Sequence, residues 1–205
     1  MTGFYSSDGA VSIGAIASTG SITATAGTND AYGLRASGDV TIAGEMAGDI
    51  TASSGGQYAY GIYSATGAIS IGSIAETGSI TATAGTDSAY GLGGAGDITI
   101  TGDMAGTITA TATSGSSVSG IYSLNGAISI GSIASTGSVT ATGTGNTSGL
   151  HASGDVVITN AMAGDIAASS GGHYAYGIYS SGGAISIGSI ASTGSVTATA
   201  GMDTA

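Results

Sequence analysis

The feature that most limits what this chain can fold into is a recurrence of about 29 residues that runs its whole length. The stretch Gly67-Ala-Ile-Ser-Ile-Gly-Ser-Ile-Ala75, followed by Gly78-Ser-Ile-Thr-Ala-Thr83 and closed by Ala89-Tyr-Gly-Leu92, returns with drift again and again. Taking the residue after each Gly-Ile or Gly-Leu as a start places units at Tyr5, Arg35, Tyr63, Gly93, Tyr122, His151 and Tyr179, spaced by 30, 28, 30, 29, 29 and 28 residues. A fixed period of this size is the mark of stacked repeats, in which each unit buries its apolar face only against its neighbours. The recurrence has no break, so residues 1–205 read as one elongated domain without obvious caps.

Within each unit apolar residues alternate with polar ones, as in Ala68-Ile-Ser-Ile71 and Ser79-Ile-Thr-Ala-Thr83. That is the period of a half-buried strand, not of a helix. Ile, Val and Thr fill these runs, Gly and Ser punctuate them, and Pro is absent, as suits strands whose N–H groups all donate to a ladder. Near-identity between units favours stacked coils over a sandwich or a propeller, because stacking brings equivalent residues into register. The expected fold is all-β: a single parallel β-solenoid (β-helix) of about seven coils, 28–30 residues each.

Alignment of the units predicts inward columns. Two are Val11, Val40, Ile69, Ile98, Ile128, Val156, Ile185 and Ile13, Ile42, Ile71, Ile100, Ile130, Ile158, Ile187. A third, Ile16, Met46, Ile74, Met104, Ile133, Met162, Ile190, alternates a branched with a flexible side chain and implies a 58-residue double repeat. A fourth runs from Ile22 to Val196, a small one from Ala24 to Ala198, and Leu34, Ile62, Leu92, Ile121, Leu150 and Ile178 close the coils. Outward acids follow the same double period. Asp39, Asp97 and Asp155 alternate with Ala, and Asp49 and Asp165 stand among Ser and Thr, so no carboxylate in these columns meets another at the strand spacing of about 4.8 Å.

The charge balance narrows the partners. Twelve acidic residues against the single Arg35 give a net charge of −11, which argues against nucleic acid and anionic membrane. No apolar run approaches the roughly 18 residues of a membrane span. The first residues, Met1 to Asp8, have neither a basic nor an apolar segment of the secretory kind. Chemistry is equally sparse. His151 and His173 are the only histidines, with nothing placing either beside a particular Ser and Asp, and the acids are dispersed; the reading is of a protein that is not an enzyme and needs no cofactor. Scattered carboxylates without an EF-hand or a Gly-Gly-x-Gly-x-Asp nonapeptide allow at most weak association with Ca²⁺.

Two outward patterns remain. Thr23 and Thr25, Thr81 and Thr83, Thr109 and Thr111, Thr140 and Thr142, and Thr197 and Thr199 put Thr-x-Thr on one face, a candidate surface-binding ladder. This array looks like the flat Thr face of β-solenoid ice-binding proteins, which makes ice an alternative partner. Tyr32, Tyr60, Tyr90 and Tyr176, with Ser119 and Ser148 in the intervening coils, and Tyr5, Tyr63, Tyr122 and Tyr179 form aromatic ladders that cover a corner or stack on sugars or another subunit.

The phrases Ala59-Tyr-Gly-Ile-Tyr-Ser64, Gly96-Asp-Ile-Thr-Ile-Thr-Gly102 and Gly106-Thr-Ile-Thr-Ala110 resemble the repeats in passenger domains of bacterial autotransporters and related surface adhesins. The likeness spans essentially the whole chain. It implies a right-handed parallel β-helix, an extracellular or cell-surface setting and, as an alternative function, a glycan-binding adhesin segment.

The ends suggest self-assembly. Gly201-Met202-Asp203-Thr204-Ala205 aligns with Gly85 to Ala89, and Thr2-Gly3-Phe4 aligns with Tyr60 to Ile62. The 27 residues from Tyr179 to Ala205 together with Thr2, Gly3 and Phe4 have the length of one 30-residue coil. The expectation is a non-enzymatic structural protein of an extracellular fibre, filament or adhesin stalk. Its principal partner is itself, stacked head to tail through Thr2, Gly3 and Phe4 at one end and Met202, Asp203, Thr204 and Ala205 at the other, with cell-surface glycans as a second partner.

Overall fold

The computed structural model describes residues 1–115 and 117–201, and the chain is an all-β parallel solenoid of seven coils. Each coil lays down three strands, one in each of three seven-stranded sheets, and every strand pairs in parallel with its equivalent one coil away. In the third coil these strands are Ala59–Ser64, Ile69–Ile74 and Ser79–Ala84. The first sheet runs from Thr2–Ser6 to Ala175–Ser180, the second from Val11–Ile13 to Ile185–Ile190, and the third from Ser21–Ala26 to Ser195–Ala200.

The observed registers are those of the sequence columns. Ile98 pairs with Ile69 and Ile128, Ile108 with Ile80 and Val139, and Leu92 with Ile62 and Ile121. Side chains of the three sheets meet in one core along the axis, and Ile42, Met46, Ile50, Ile62, Ile80 and Leu92 are all fully buried. A large apolar side chain buried this way contributes roughly 1.5–3 kcal/mol, and each inner coil supplies several.

The third column alternates for a reason the composition alone does not display. Only two residues separate Ile71 from Ile74, but three separate Ile100 from Met104, and the second sheet absorbs the extra residue as a register shift in every second coil. Such a bulge displaces the following backbone. The long, flexible Met46, Met104 and Met162 stand at the end of each bulged strand and are fully buried.

The carboxylates do more than avoid one another. Asp39, Asp97 and Asp155 each accept a hydrogen bond from a backbone N–H in the next coil, of Ala68 at 2.8 Å, Ala127 at 2.8 Å and Ala184 at 2.7 Å. Asp49 and Asp165 accept from the hydroxyls of Ser79 and Ser195, both at 2.6 Å, and Asp103 accepts from Ser132. The double repeat therefore sets each of these acids against a donor. Ser64, Ser123 and Ser180 reinforce the same period: each hydroxyl donates to a carbonyl of the preceding coil, at 2.8 Å in all three cases, and accepts from a Gly N–H three residues on.

Candidate functional site

The outward face of the first sheet is where large side chains gather, and one glycine column makes that possible. In Ala59-Tyr-Gly-Ile-Tyr-Ser64 the rings of Tyr60 and Tyr63 lie 4.6 Å apart on the outside, while Ile62 is fully buried. Gly61 also turns its hydrogen inward: a Cβ there would sit 2.4 Å from Ile80 Cγ2 and 2.6 Å from the Gly91 carbonyl oxygen. Two successive inward positions bring the residues on either side to the same outer surface. Every coil can thus present two outward side chains three residues apart.

Those positions form two neighbouring lines. One carries Tyr32, Tyr60, Tyr90, Ser119, Ser148 and Tyr176; the other carries Tyr5, Arg35, Tyr63, Gly93, Tyr122, His151 and Tyr179. Tyr32 stacks on Tyr60 at 5.2 Å with planes 5° apart, and Tyr60 on Tyr90 at 4.9 Å and 19°. From Tyr90 contact crosses to Tyr122 at 5.2 Å, then through His151 to Tyr179 in edge-on contacts of 5.0 and 4.8 Å. Tyr179 returns it to Tyr176 at 4.9 Å. The aromatic spine is continuous from the second coil to the seventh.

Residues outside the aligned columns contribute as well. Tyr58 and Tyr174, from the Gly-rich corners before the strands, pack at 6.2 Å on Tyr60 and 6.1 Å on Tyr176. The Arg35 guanidinium lies 4.5 Å from the centre of the Tyr32 ring and 5.2 Å from that of Tyr5, which ties the chain's single Lys or Arg to this face through cation–π contacts. Tyr32 also donates its hydroxyl to Asp30 at 2.9 Å. Burial, and for Tyr32 also the Asp30 hydrogen bond, lifts the phenols of Tyr32 and Tyr60 well above the usual range. Burial likewise lowers the His151 imidazole, which favours its neutral form.

The Thr ladder lies on the third sheet, away from this spine. Thr81, Thr109 and Thr140 are in register with one another, as are Thr83, Thr111 and Thr142, giving two parallel rows over three coils. Thr23 and Thr25 continue the rows beside Thr51 and Ser53, and Thr197 and Thr199 beside Ala167 and Ser169. Of the residues expected at the ends, Thr2, Gly3 and Phe4 belong to the first strand, where Thr2 pairs with Tyr32 and Phe4 with Leu34. Phe4 is 54% exposed. Met202, Asp203, Thr204 and Ala205 lie outside the described residues.

The acids that could serve Ca²⁺ are spread along the solenoid, and among the described residues no three His, Asp or Glu side chains converge to hold a metal. His173 sits in a corner beside Gly172, and its backbone N–H donates to Ser170 at 2.9 Å. No family model matches this chain, and neither a curated protein nor a solved structure matches it.

Proposed function

We propose that this protein is a non-enzymatic structural segment, a rigid acidic rod of an extracellular fibre or adhesin stalk, whose copies join head to tail by stacking end coil on end coil. The observation that carries this reading is the unbroken register of the apolar columns, which lets any coil be extended in kind by another. In the last coil Ile185, Ile190 and Val196 are 49%, 56% and 42% exposed, although their counterparts in the inner coils are buried to within 1%. Each belongs to a column that the first coil of a second copy would extend in kind, Ile185 by Val11, Ile190 by Ile16 and Val196 by Ile22, with Phe4 continuing the column of Ile178. Open strand edges bearing apolar columns are templates for further pairing, and a contact between unlike ends propagates instead of closing. From Tyr179 to Ala205 the sequence carries a single charged side chain, Asp203, so the last coil adds little to the repulsion expected from a net charge of −11. The likeness to autotransporter passengers and surface adhesins supports the cell-surface setting.

Electron microscopy and sedimentation of the 205-residue chain test this directly. Filaments one solenoid wide are expected, and Ile190→Asp, at an already exposed position, is expected to return them to monomers. Particles of 19.0 kDa at high concentration, or filaments that survive Ile190→Asp, would overturn the reading.

A second reading rests on the two Thr rows in register on the third sheet, a regular hydroxyl and methyl array suited to ice. It predicts thermal hysteresis that is lost on Thr109→Lys. The absence of hysteresis in the unmodified chain removes it.

A further inference from the structure

The stacked line Tyr32, Tyr60, Tyr90 stops for two coils, where Ser119 and Ser148 stand in place of rings, and resumes at Tyr176. The interruption is a cavity of about 270 Å³, near the lower end of the roughly 300–1,000 Å³ usual for small-molecule sites and of the size of a mono- or disaccharide. Tyr90 and Tyr176 wall it at the two ends, three rungs of about 4.8 Å apart. Tyr122 and His151 flank it along the second line, and Asn146 lies on the opposite side.

Its floor is polar and unpartnered. Ser119 and Ser148 are only 3% and 4% exposed. Among the described residues, neither hydroxyl nor the Asn146 amide makes a side-chain hydrogen bond to the protein, and no fully buried side-chain polar atom is left without one. The two hydroxyls therefore open toward the cavity, where the polar groups of an occupant can reach them. Holding recessed polar groups without a partner is costly, so the slot favours an occupant that supplies hydroxyls of its own.

We propose that this slot binds a neutral hexopyranose, as the terminal sugar of a glycan. A pyranose has the mixed character the slot asks for: an apolar C–H face to lie against the Tyr90 or Tyr176 ring, and an edge of hydroxyls for Ser119, Ser148 and Asn146. No charged side chain lines the cavity, and the chain's net charge is −11, so uronic and sialic acids are disfavoured. A flat aromatic ligand would use the walls and leave the floor unsatisfied. The assignment does not depend on how the ends of the rod associate.

Saturation-transfer NMR on the intact chain tests the slot, with methyl β-D-galactopyranoside, methyl α-D-glucopyranoside and methyl α-D-mannopyranoside as probes, N-acetylneuraminic acid as the anionic comparison and indole as the aromatic one. At least one neutral glycoside is expected to bind with millimolar affinity. Ser148→Tyr places in the slot the ring found at this position in other coils, and is expected to weaken binding at least about tenfold with an unchanged melting temperature. Tyr176→Ala removes a wall without filling the space and is expected to lose binding by a second route. Tyr58→Ala, on the same face but outside the slot, leaves binding intact. Failure of all three neutral glycosides to bind, preference for indole or the sialic acid, or binding that survives both Ser148→Tyr and Tyr176→Ala would each overturn the proposal.

Discussion

The two outward faces of this solenoid solve one packing problem differently. On the third sheet a Thr can stand on another Thr in coil after coil, because a β-branched side chain fits within the strand spacing and leaves its neighbour undisturbed. On the first sheet, rings stacked at 4.9–5.2 Å match that spacing when they lie face to face. Two rings in one coil, Tyr60 and Tyr63, already touch at 4.6 Å, and the next coil gives up the second ring: a Cβ on Gly93 would lie 2.9 Å from the Tyr60 ring. In the two coils after that, Ser119 and Ser148 stand beside Tyr122 and His151. Small outward residues repeat freely; large ones repeat in runs, Tyr32, Tyr60, Tyr90 on one line and Tyr122, His151, Tyr179 on the other, and break off between them. The aromatic face is therefore varied where the Thr face is uniform, and the gap at Ser119 and Ser148 is a shaped one.

Placing Val in the inward glycine column behind the aromatic face and in an outward row of the third sheet should give the widest separation. Gly91→Val puts a Cβ 2.4 Å from Ile108 Cγ2 and 2.6 Å from the Gly120 carbonyl, and is expected to cost more than about 3 kcal/mol or to prevent folding. Thr109→Val on the third sheet should stay within about 0.5 kcal/mol. Equal denaturation midpoints for the two would break the contrast. Next in size, Tyr60→Ala removes ring contacts to Tyr32, Tyr63 and Tyr90, for a loss of about 2–4 kcal/mol by chemical denaturation. Thr81→Ala in the same coil should again be nearly silent.

Much of this contrast is legible in the sequence. The inward columns can be read because strict alternation leaves one choice of face and near-identical units leave one register, so Ile100 falls between Ile71 and Ile130 on either criterion. The Thr rows follow from the same registers. The bulge is harder to see: an extra residue between Ile100 and Met104 hides among coil lengths that vary anyway, and only the alternation of Met with Ile betrays it. The aromatic slot is least visible. Ser119 and Ser148 read as interruptions, but the approach of Tyr122 and His151 to the gap depends on ring orientations, and Tyr174 comes from a corner that belongs to no column. Arg35 likewise looks like a lone surface charge until three rings are found around it.

Smaller effects sharpen the picture further. Arg35→Gln should lower stability by about 0.5–1 kcal/mol through the lost cation–π contacts, measured against Thr51→Gln in the same coil. His151 offers a pH signature. Burial beside Tyr122 and Tyr179 depresses its folded pKa below the unfolded value of about 6.5. The unfolded chain then binds more protons, so the stability His151 contributes is fully present above that value and is lost as pH falls through the folded pKa. The melting temperature of the unmodified chain relative to His151→Tyr should thus decline on acidification from pH 7.5 to pH 5. A constant difference would mean that the imidazole is freely hydrated.

The pairing of each acid with a donor one coil on also governs how a chain of this kind can change length. Excising the single coil Tyr63–Leu92 would set Asp97 directly upon Asp39, strip Asp39 of the Ala68 N–H that it holds, and bring two bulged strands together. Excising two coils restores carboxylate to donor and flat strand to bulge. Growth or shrinkage of the array is in this sense quantised, and a deletion of about 58 residues is expected to fold where one of about 29 is not.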